Sequence, residues 1–244
     1  MTRRTRDAAG LLVAAAAAAT CVRLGFWQLD RLHQRRARNA EVRARRELPP
    51  REVTRALTGD TARDRRLRAR GVYDFGRERL WRGRAYDGVP GVAFLTPLRL
   101  ADGAAVLVDR GWAPSPDAYH VDQSAYREPD TADVLGLGML APRARGDVDP
   151  AKLRDSLPYP VLSFVLQALP TDRPSVRPPA TARESFRDRP IRWPAPAIDD
   201  GPHLSYAVQW FSFAVIIVAG SIALIRKTRR PFHLELPPAS LRSS

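Results

Sequence analysis

Four histidines are the natural starting point for chemistry in this sequence, because an imidazole can act as a base, a nucleophile or a metal ligand. His33 falls in an Arg-rich stretch expected to be helical, His120 in a loop bearing Pro and Asp, and His233 in a basic tail. For these three, solvated surface is the plain reading. His203 differs, since it opens the run His203-Leu204-Ser205-Tyr206-Ala207-Val208-Gln209-Trp210-Phe211. On a helix, His203, Tyr206 or Ala207, and Trp210 share one face by the i, i+3, i+4, i+7 rule. An imidazole beside aromatic rings at the edge of a bilayer offers an amphipathic iron porphyrin an axial nitrogen, flat apolar walls and nearby water for its propionates. The plainer reading of the same residues is an interfacial aromatic belt, and both readings stay open at this level. No serine elbow, HExxH pattern or paired-carboxylate motif is present, so the sequence supports no enzyme. The single cysteine, Cys21, excludes an intrachain disulfide and a cysteine-rich metal site, and reads as a small buried residue.

The element that positions His203 is apolar. From Leu204 to Ile225 there is no charged residue for 22 positions, roughly 33 Å of helix, enough to cross a hydrocarbon core of about 30 Å. Arg226, Lys227, Arg229 and Arg230 close it as a stop-transfer pattern, which places the tail in the cytoplasm by the positive-inside rule. A second apolar stretch, Ala8 to Val22, follows Arg3, Arg4 and Arg6. Its length, basic start and Ala-x-Ala sites fit a cleavable signal peptide. Its continuation through Leu24-Gly25-Phe26-Trp27-Gln28-Leu29, with Arg23 able to snorkel, favours a retained helix. The expected layout is a cytoplasmic N-terminus (1–7), a first transmembrane helix (8–29), an extracytoplasmic domain (30–202), a second transmembrane helix (203–225) and a basic cytoplasmic tail (226–244). That is a multi-pass protein of a bacterial cell (inner or plasma) membrane with its central domain outside.

Between the spans the pattern changes. Residues 34–55 are rich in Arg and Glu at helix-favouring spacing and run into the Pro49-Pro50 break. Beyond it, Leu67–Tyr73, Leu80–Tyr86, Val92–Leu100, Ala104–Arg110 and Val134–Leu140 are short, apolar-alternating and bounded by Gly, Pro or Asp. Asp102-Gly103 suits a two-residue hairpin turn between two of these runs. After Ala141 prolines interrupt every long element, and part of that stretch reads as loop. The fold class expected is a small α+β, mainly antiparallel β domain of five to seven strands, flanked by two transmembrane helices.

Charge narrows the partners. The 40 basic residues are almost all Arg and the net charge is +14. The densest runs (Arg31, Arg35, Arg36 and Arg38, then Arg226 to Arg230) flank the apolar spans, and no nucleic-acid motif accompanies them. A lipid bilayer or an acidic protein is therefore favoured over nucleic acid.

Three motifs, in order, resemble the surfeit locus protein 1 family, which takes part in cytochrome c oxidase biogenesis. The first is Leu24-Gly25-Phe26-Trp27-Gln28-Leu29-Asp30-Arg31, similar to the family's Gly-x-Trp-Gln-x-x-Arg exit from its first membrane helix. The second joins Gly91-Val92-Ala93-Phe94-Leu95-Thr96-Pro97 to Val106-Leu107-Val108-Asp109-Arg110-Gly111-Trp112-Ala113-Pro114, similar to a Thr-Pro strand and a Val-x-Arg-Gly-Trp-x-Pro segment. The third is the His203 run, which looks like the family's His-Leu-x-Tyr-Ala-x-x-Trp-Phe start of its second helix, with Pro202 where the family usually has Asn. The resemblance implies an assembly factor for a haem-copper cytochrome c oxidase that assists haem a insertion into subunit I alongside other assembly factors. His203 would be the axial ligand of the haem iron, with Tyr206 and Trp210 beside it. Arg110 has two readings, a partner for a haem propionate or for another protein, or a stabiliser of the hairpin end together with Gly111 and Trp112. The alternative function is a cofactor-free, membrane-tethered adaptor that binds oxidase assembly intermediates through its β domain and Arg-rich neck.

Overall fold

The computed structural model describes residues 3–140, 148, 152–153, 156–170 and 189–228. The basic tail beyond residue 228, with His233, and the Pro-rich stretch 171–188 lie outside the described residues. The chain divides into two compact units, residues 1–39 with 199–244, and residues 40–198.

The first unit is built on helix α1 (Arg3–Glu47) and helix α3 (His203–Thr228). Both are long and apolar enough to cross a membrane. The separate helices expected over 8–29 and 34–55 are one helix of 45 residues, about 68 Å long at 1.5 Å per residue. Nothing in Asp30-Arg31-Leu32-His33 breaks a helix. The helix stops at Glu47 because Leu48 precedes Pro49, and the residue before a proline is pushed out of the α region. On α1, where Leu24 and Leu29 are also half-buried, one line of less exposed positions runs through Ala14, Ala18, Cys21, Gly25, Gln28, Leu32 and Asn39. Their 4-3 spacing is the seam of a coiled coil, and most are small, which lets helix backbones approach closely. On α3 the matching positions are His203, Ala207, Trp210, Ala214, Ile217 and Ser221. The helices run antiparallel, since Gly25 meets Phe211 while Gln28, three residues further along, meets His203.

The second unit is a barrel. Its strands are β1 (Arg51–Glu52), β2 (Arg66–Tyr73), β3 (Arg79–Tyr86), β4 (Val89–Leu100), β5 (Ala105–Pro114), β6 (Thr131–Leu140) and β7 (Val161–Ala168). The sheet order is β1-β2-β6-β7-β5-β4-β3, and β2 also pairs with β4, so β2, β4, β5, β7 and β6 close on themselves. Closure pairs with each other the edges that β2 and β4 would otherwise leave open. Pairings are antiparallel except β5 with β7 and the short β1 with β2. Among its described residues the expected α+β domain carries the short helix α2 (Gly59–Ala62), capped by the side chain of Thr58.

All five expected strands are present, each extended by one to four residues at an end, apart from Ala104, which belongs to the turn. The Asp102-Gly103 hairpin joins β4 to β5, but four residues, 101–104, separate the strands instead of two. Gly103 alone takes positive φ (80°), and its N–H donates to Leu100 O at 3.1 Å. Asp102 instead accepts from Ala104 N (3.1 Å) and Arg55 N (2.6 Å), which ties the chain after α1 to the hairpin. Strand β7 was not expected. Its sequence, Val161-Leu162-Ser163-Phe164-Val165-Leu166-Gln167-Ala168, is mostly apolar without alternation, as suits a strand buried on both faces apart from Ser163, and lies between Pro160 and Pro170. It lies between β5 and β6 and completes the core of Leu67, Leu98, Val106, Val108, Phe164 and Leu166.

Candidate haem-ligand site and the buried arginine

The geometry around His203 is set by the turn before α3. Asn39 Nδ2 donates to Asp199 O (2.7 Å) and to Asp200 Oδ1 (3.1 Å), and Arg36 Nε donates to Asp200 Oδ2 at 2.9 Å. Gly201 then takes a positive φ of 68° and gives its N–H to Asp199 Oδ1 at 2.9 Å. The Pro202 carbonyl accepts from Tyr206 N (3.1 Å) and Ser205 Oγ (2.8 Å). Pro202 therefore opens the helix, where a missing N–H costs nothing, and His203 is its first full residue.

The His203 ring is half-buried and its Nδ1 lies 2.9 Å from Gln28 Oε1. With the Gln28 amide oxygen facing the ring, Nδ1 is the donor and the lone pair is on Nε2, because an amide oxygen only accepts. Among the described residues Nε2 has no hydrogen-bond partner. Of the two residues one turn on, Ala207 is turned into the seam (1% exposed) and Tyr206 outward (47% exposed). A small side chain at 207 is what the close approach of α1 requires. Trp210 is half-buried and meets Phe213 edge-to-face, with ring centroids 5.9 Å apart. His203, Tyr206 and Trp210 thus share the first two turns of α3, with Tyr206 off the seam face. The donor chemistry suits an axial haem ligand, because one ring nitrogen is occupied by the protein and the other is not.

Arg110 lies elsewhere, in the barrel unit, and is fully buried. Its Nη2 is 2.6 Å from Glu78 Oε2, its Nη1 is 2.9 Å from Glu128 Oε2 and 2.8 Å from Tyr126 O, and its Nε donates to Thr96 Oγ1 at 2.8 Å. Thr96 in turn donates to Glu78, and Glu128 also receives Arg192 at 2.5 Å. Two arginines balance two glutamates, so the buried charge is compensated. Every guanidinium nitrogen of Arg110 is engaged inside the domain, and a propionate could reach it only by displacing a glutamate. Gly111 follows with φ 114°, and the Ile191 carbonyl occupies the place its Cβ would take. Trp112 exchanges backbone hydrogen bonds of 2.8 Å with Ile191, so the Arg-Gly-Trp segment fastens residues 189–198 across β5. Glu78, Glu128 and Arg192 lie in loops with no spacing signal, whereas Thr96 stands in the Thr-Pro motif.

Beside Arg110, Asp109 is buried and its carboxyl is pushed up to about 6 by loss of hydration, against the opposing hydrogen bond from Gly111 N at 2.9 Å. No group of three or more His, Cys, Asp or Glu side chains suited to a metal ion occurs among the described residues.

Comparison with known proteins agrees with this arrangement. A family model described as the SURF1 family matches residues 15–215, a span that takes in most of α1, the barrel and the first half of α3. Uncharacterized SURF1-like proteins of Mycobacterium bovis and Mycobacterium tuberculosis are each 27% identical over 230 residues, covering 88% of this chain and 83% of each relative.

Proposed function

This chain belongs to the SURF1 family, and we propose that it assists haem a insertion into subunit I of a haem-copper cytochrome c oxidase, holding the haem transiently through His203. The family is one of cytochrome oxidase assembly factors, not of catalysts. The observation that carries the proposal is the imidazole of His203 at the first turn of an apolar helix, with Nδ1 held by the protein and Nε2 without a partner. Haem, when bound, would supply an iron that accepts an imidazole nitrogen. The protein supplies the nitrogen for it and the aromatic surfaces of Tyr206 and Trp210. With α1 and α3 read as membrane spans, the site sits at the outer edge of the bilayer, both termini are cytoplasmic and the barrel is extracytoplasmic. Other assembly factors of the same oxidase are the expected protein partners.

The test is the absorbance spectrum of detergent-purified protein from cells able to make haem a. A Soret band that is lost or shifted in His203→Ala, with the variant still inserted and folded, supports the proposal. Wild-type protein without haem, or a His203→Ala protein with unchanged haem content and spectrum, overturns it.

One observation favours the adaptor reading. Arg110 is sealed inside the barrel, so the Arg-Gly-Trp segment serves the barrel's own stability and leaves the outer surface to protein partners. Oxidase assembly that survives His203→Ala and fails when the barrel is deleted would select that reading.

A further inference from the structure

Gln28 stands in the first motif with no role assigned to it, yet its side chain is the partner of His203 across the two helices. We propose that Gln28 is a positioning residue that fixes the tautomer and the ring plane of His203, so that Nε2, not Nδ1, is the nitrogen offered to a ligand. The inference rests on the haem reading for its purpose, though not for its geometry.

A free neutral imidazole prefers its proton on Nε2, which would leave Nδ1, the more hindered nitrogen, to bind metal. A carbonyl-type oxygen 2.9 Å from Nδ1 reverses that preference, because the Nδ1–H donor is satisfied only in the other tautomer. The acceptor is itself held in place. Gln28 occupies a seam position one turn from Gly25, where an added Cβ would fall 2.6 Å from the Phe211 ring, so α1 and α3 pack closely at this level. Phe26 meets Phe211 edge-to-face at 5.3 Å. The end motifs are therefore two halves of one device, with Gly25 and Phe211 setting the helix separation and Gln28 and His203 using it. Second-shell acceptors of this kind orient metal-ligating imidazoles and raise their basicity, and their loss weakens metal affinity about 10- to 100-fold.

The experiment uses full-length protein in detergent, labelled with 15N-histidine and free of haem. Nitrogen–carbon-bound-proton correlation spectra distinguish the two tautomers, and the His203 signals are assigned by their absence in His203→Ala. Wild type should show the Nδ1–H form. Gln28→Leu should revert to Nε2–H, and Gln28→Glu, which still accepts, should keep Nδ1–H. Hemin titration of the same proteins should then give affinity about 10- to 100-fold weaker for Gln28→Leu and near wild type for Gln28→Glu. A wild-type Nε2–H tautomer, or a Gln28→Leu protein that keeps Nδ1–H, overturns the inference. So does unchanged hemin affinity in Gln28→Leu when His203→Ala abolishes binding, a result that leaves the haem reading standing. Should the tautomers behave as described while hemin binds wild type and His203→Ala alike, the haem reading fails and the positioning by Gln28 survives.

Discussion

Arg110 and Glu78 form an ion pair of 2.6 Å with the guanidinium wholly removed from water and the carboxylate nearly so. Such a pair contributes little against a hydrophobic replacement of equal shape, because desolvation offsets the attraction, but removing one partner strands the other. Arg110→Ala should therefore destabilise the protein by about 3–5 kcal/mol, seen as a fall in abundance and in thermal midpoint. Glu78→Ala should cost about as much, and the double variant less than the sum of the two. An Arg110→Ala protein of normal stability that has lost haem would restore the propionate role.

Asp109 gives a pH dependence of definite sign. Its folded-state pKa of about 6 lies above the unfolded value near 3.8, so the folded state holds the proton more tightly. Its contribution to stability is full below the unfolded pKa and is lost as pH rises through the folded pKa. Between about pH 4 and 6 the barrel should lose on the order of 3 kcal/mol from this group. Asp109→Asn, which can still accept from Gly111 N, should flatten that slope and stabilise the protein at pH 7 to 8. Chemical denaturation of the two proteins across pH measures it, and parallel pH curves would contradict the assignment.

Gly111 cannot carry a side chain, both because of its positive φ and because Ile191 O occupies the space. Gly111→Ala should cost about 1–3 kcal/mol for the backbone alone, and more once residues 189–198 are pushed off β5. Limited proteolysis should then cut near Arg189 or Arg192 faster than in wild type, while cleavage elsewhere keeps its rate.

Gly25 and Phe211 should couple. Gly25→Val places branched carbons where the ring lies and should lower thermal stability in detergent. Phe211→Ala added to it should recover part of the loss, since the space required is the ring's own. Independent, additive effects would mean that the two residues do not touch.

Antiparallel α1 and α3 require their outer ends to lie on the same side if both cross the bilayer. Reporter fusions at the C-terminus and after Ala141 should report opposite sides, the former cytoplasmic. Both on one side would overturn the topology.

How much of this was legible in the sequence follows from which interactions are local. Helix and strand periodicity are local, so the two long apolar helices, five strands and the β4–β5 hairpin could be read directly from the spacing of apolar residues and from Asp102-Gly103. The order of motifs identified the family for the same reason, since each motif is a contiguous run. β7 was lost because a strand buried on both faces has no alternation, and Pro-rich surroundings hid its apolar run. Barrel closure through β2 and β4 was invisible, because it depends on twist and on pairs such as Gly71 with Leu100 that no local pattern relates.

The site divides along the same line. The sequence by itself determined that His203 stands at the start of an apolar helix among aromatic residues, because helical spacing is a property of neighbours. Only the tertiary structure decided that Ala207 and not Tyr206 shares the buried face, since that depends on where α1 lies. Only it decided that Arg110 is enclosed by Glu78 and Glu128, which no spacing relates to it. And only it brought Gln28 to His203 across 175 positions of chain, a hydrogen bond that exists because two helices pack.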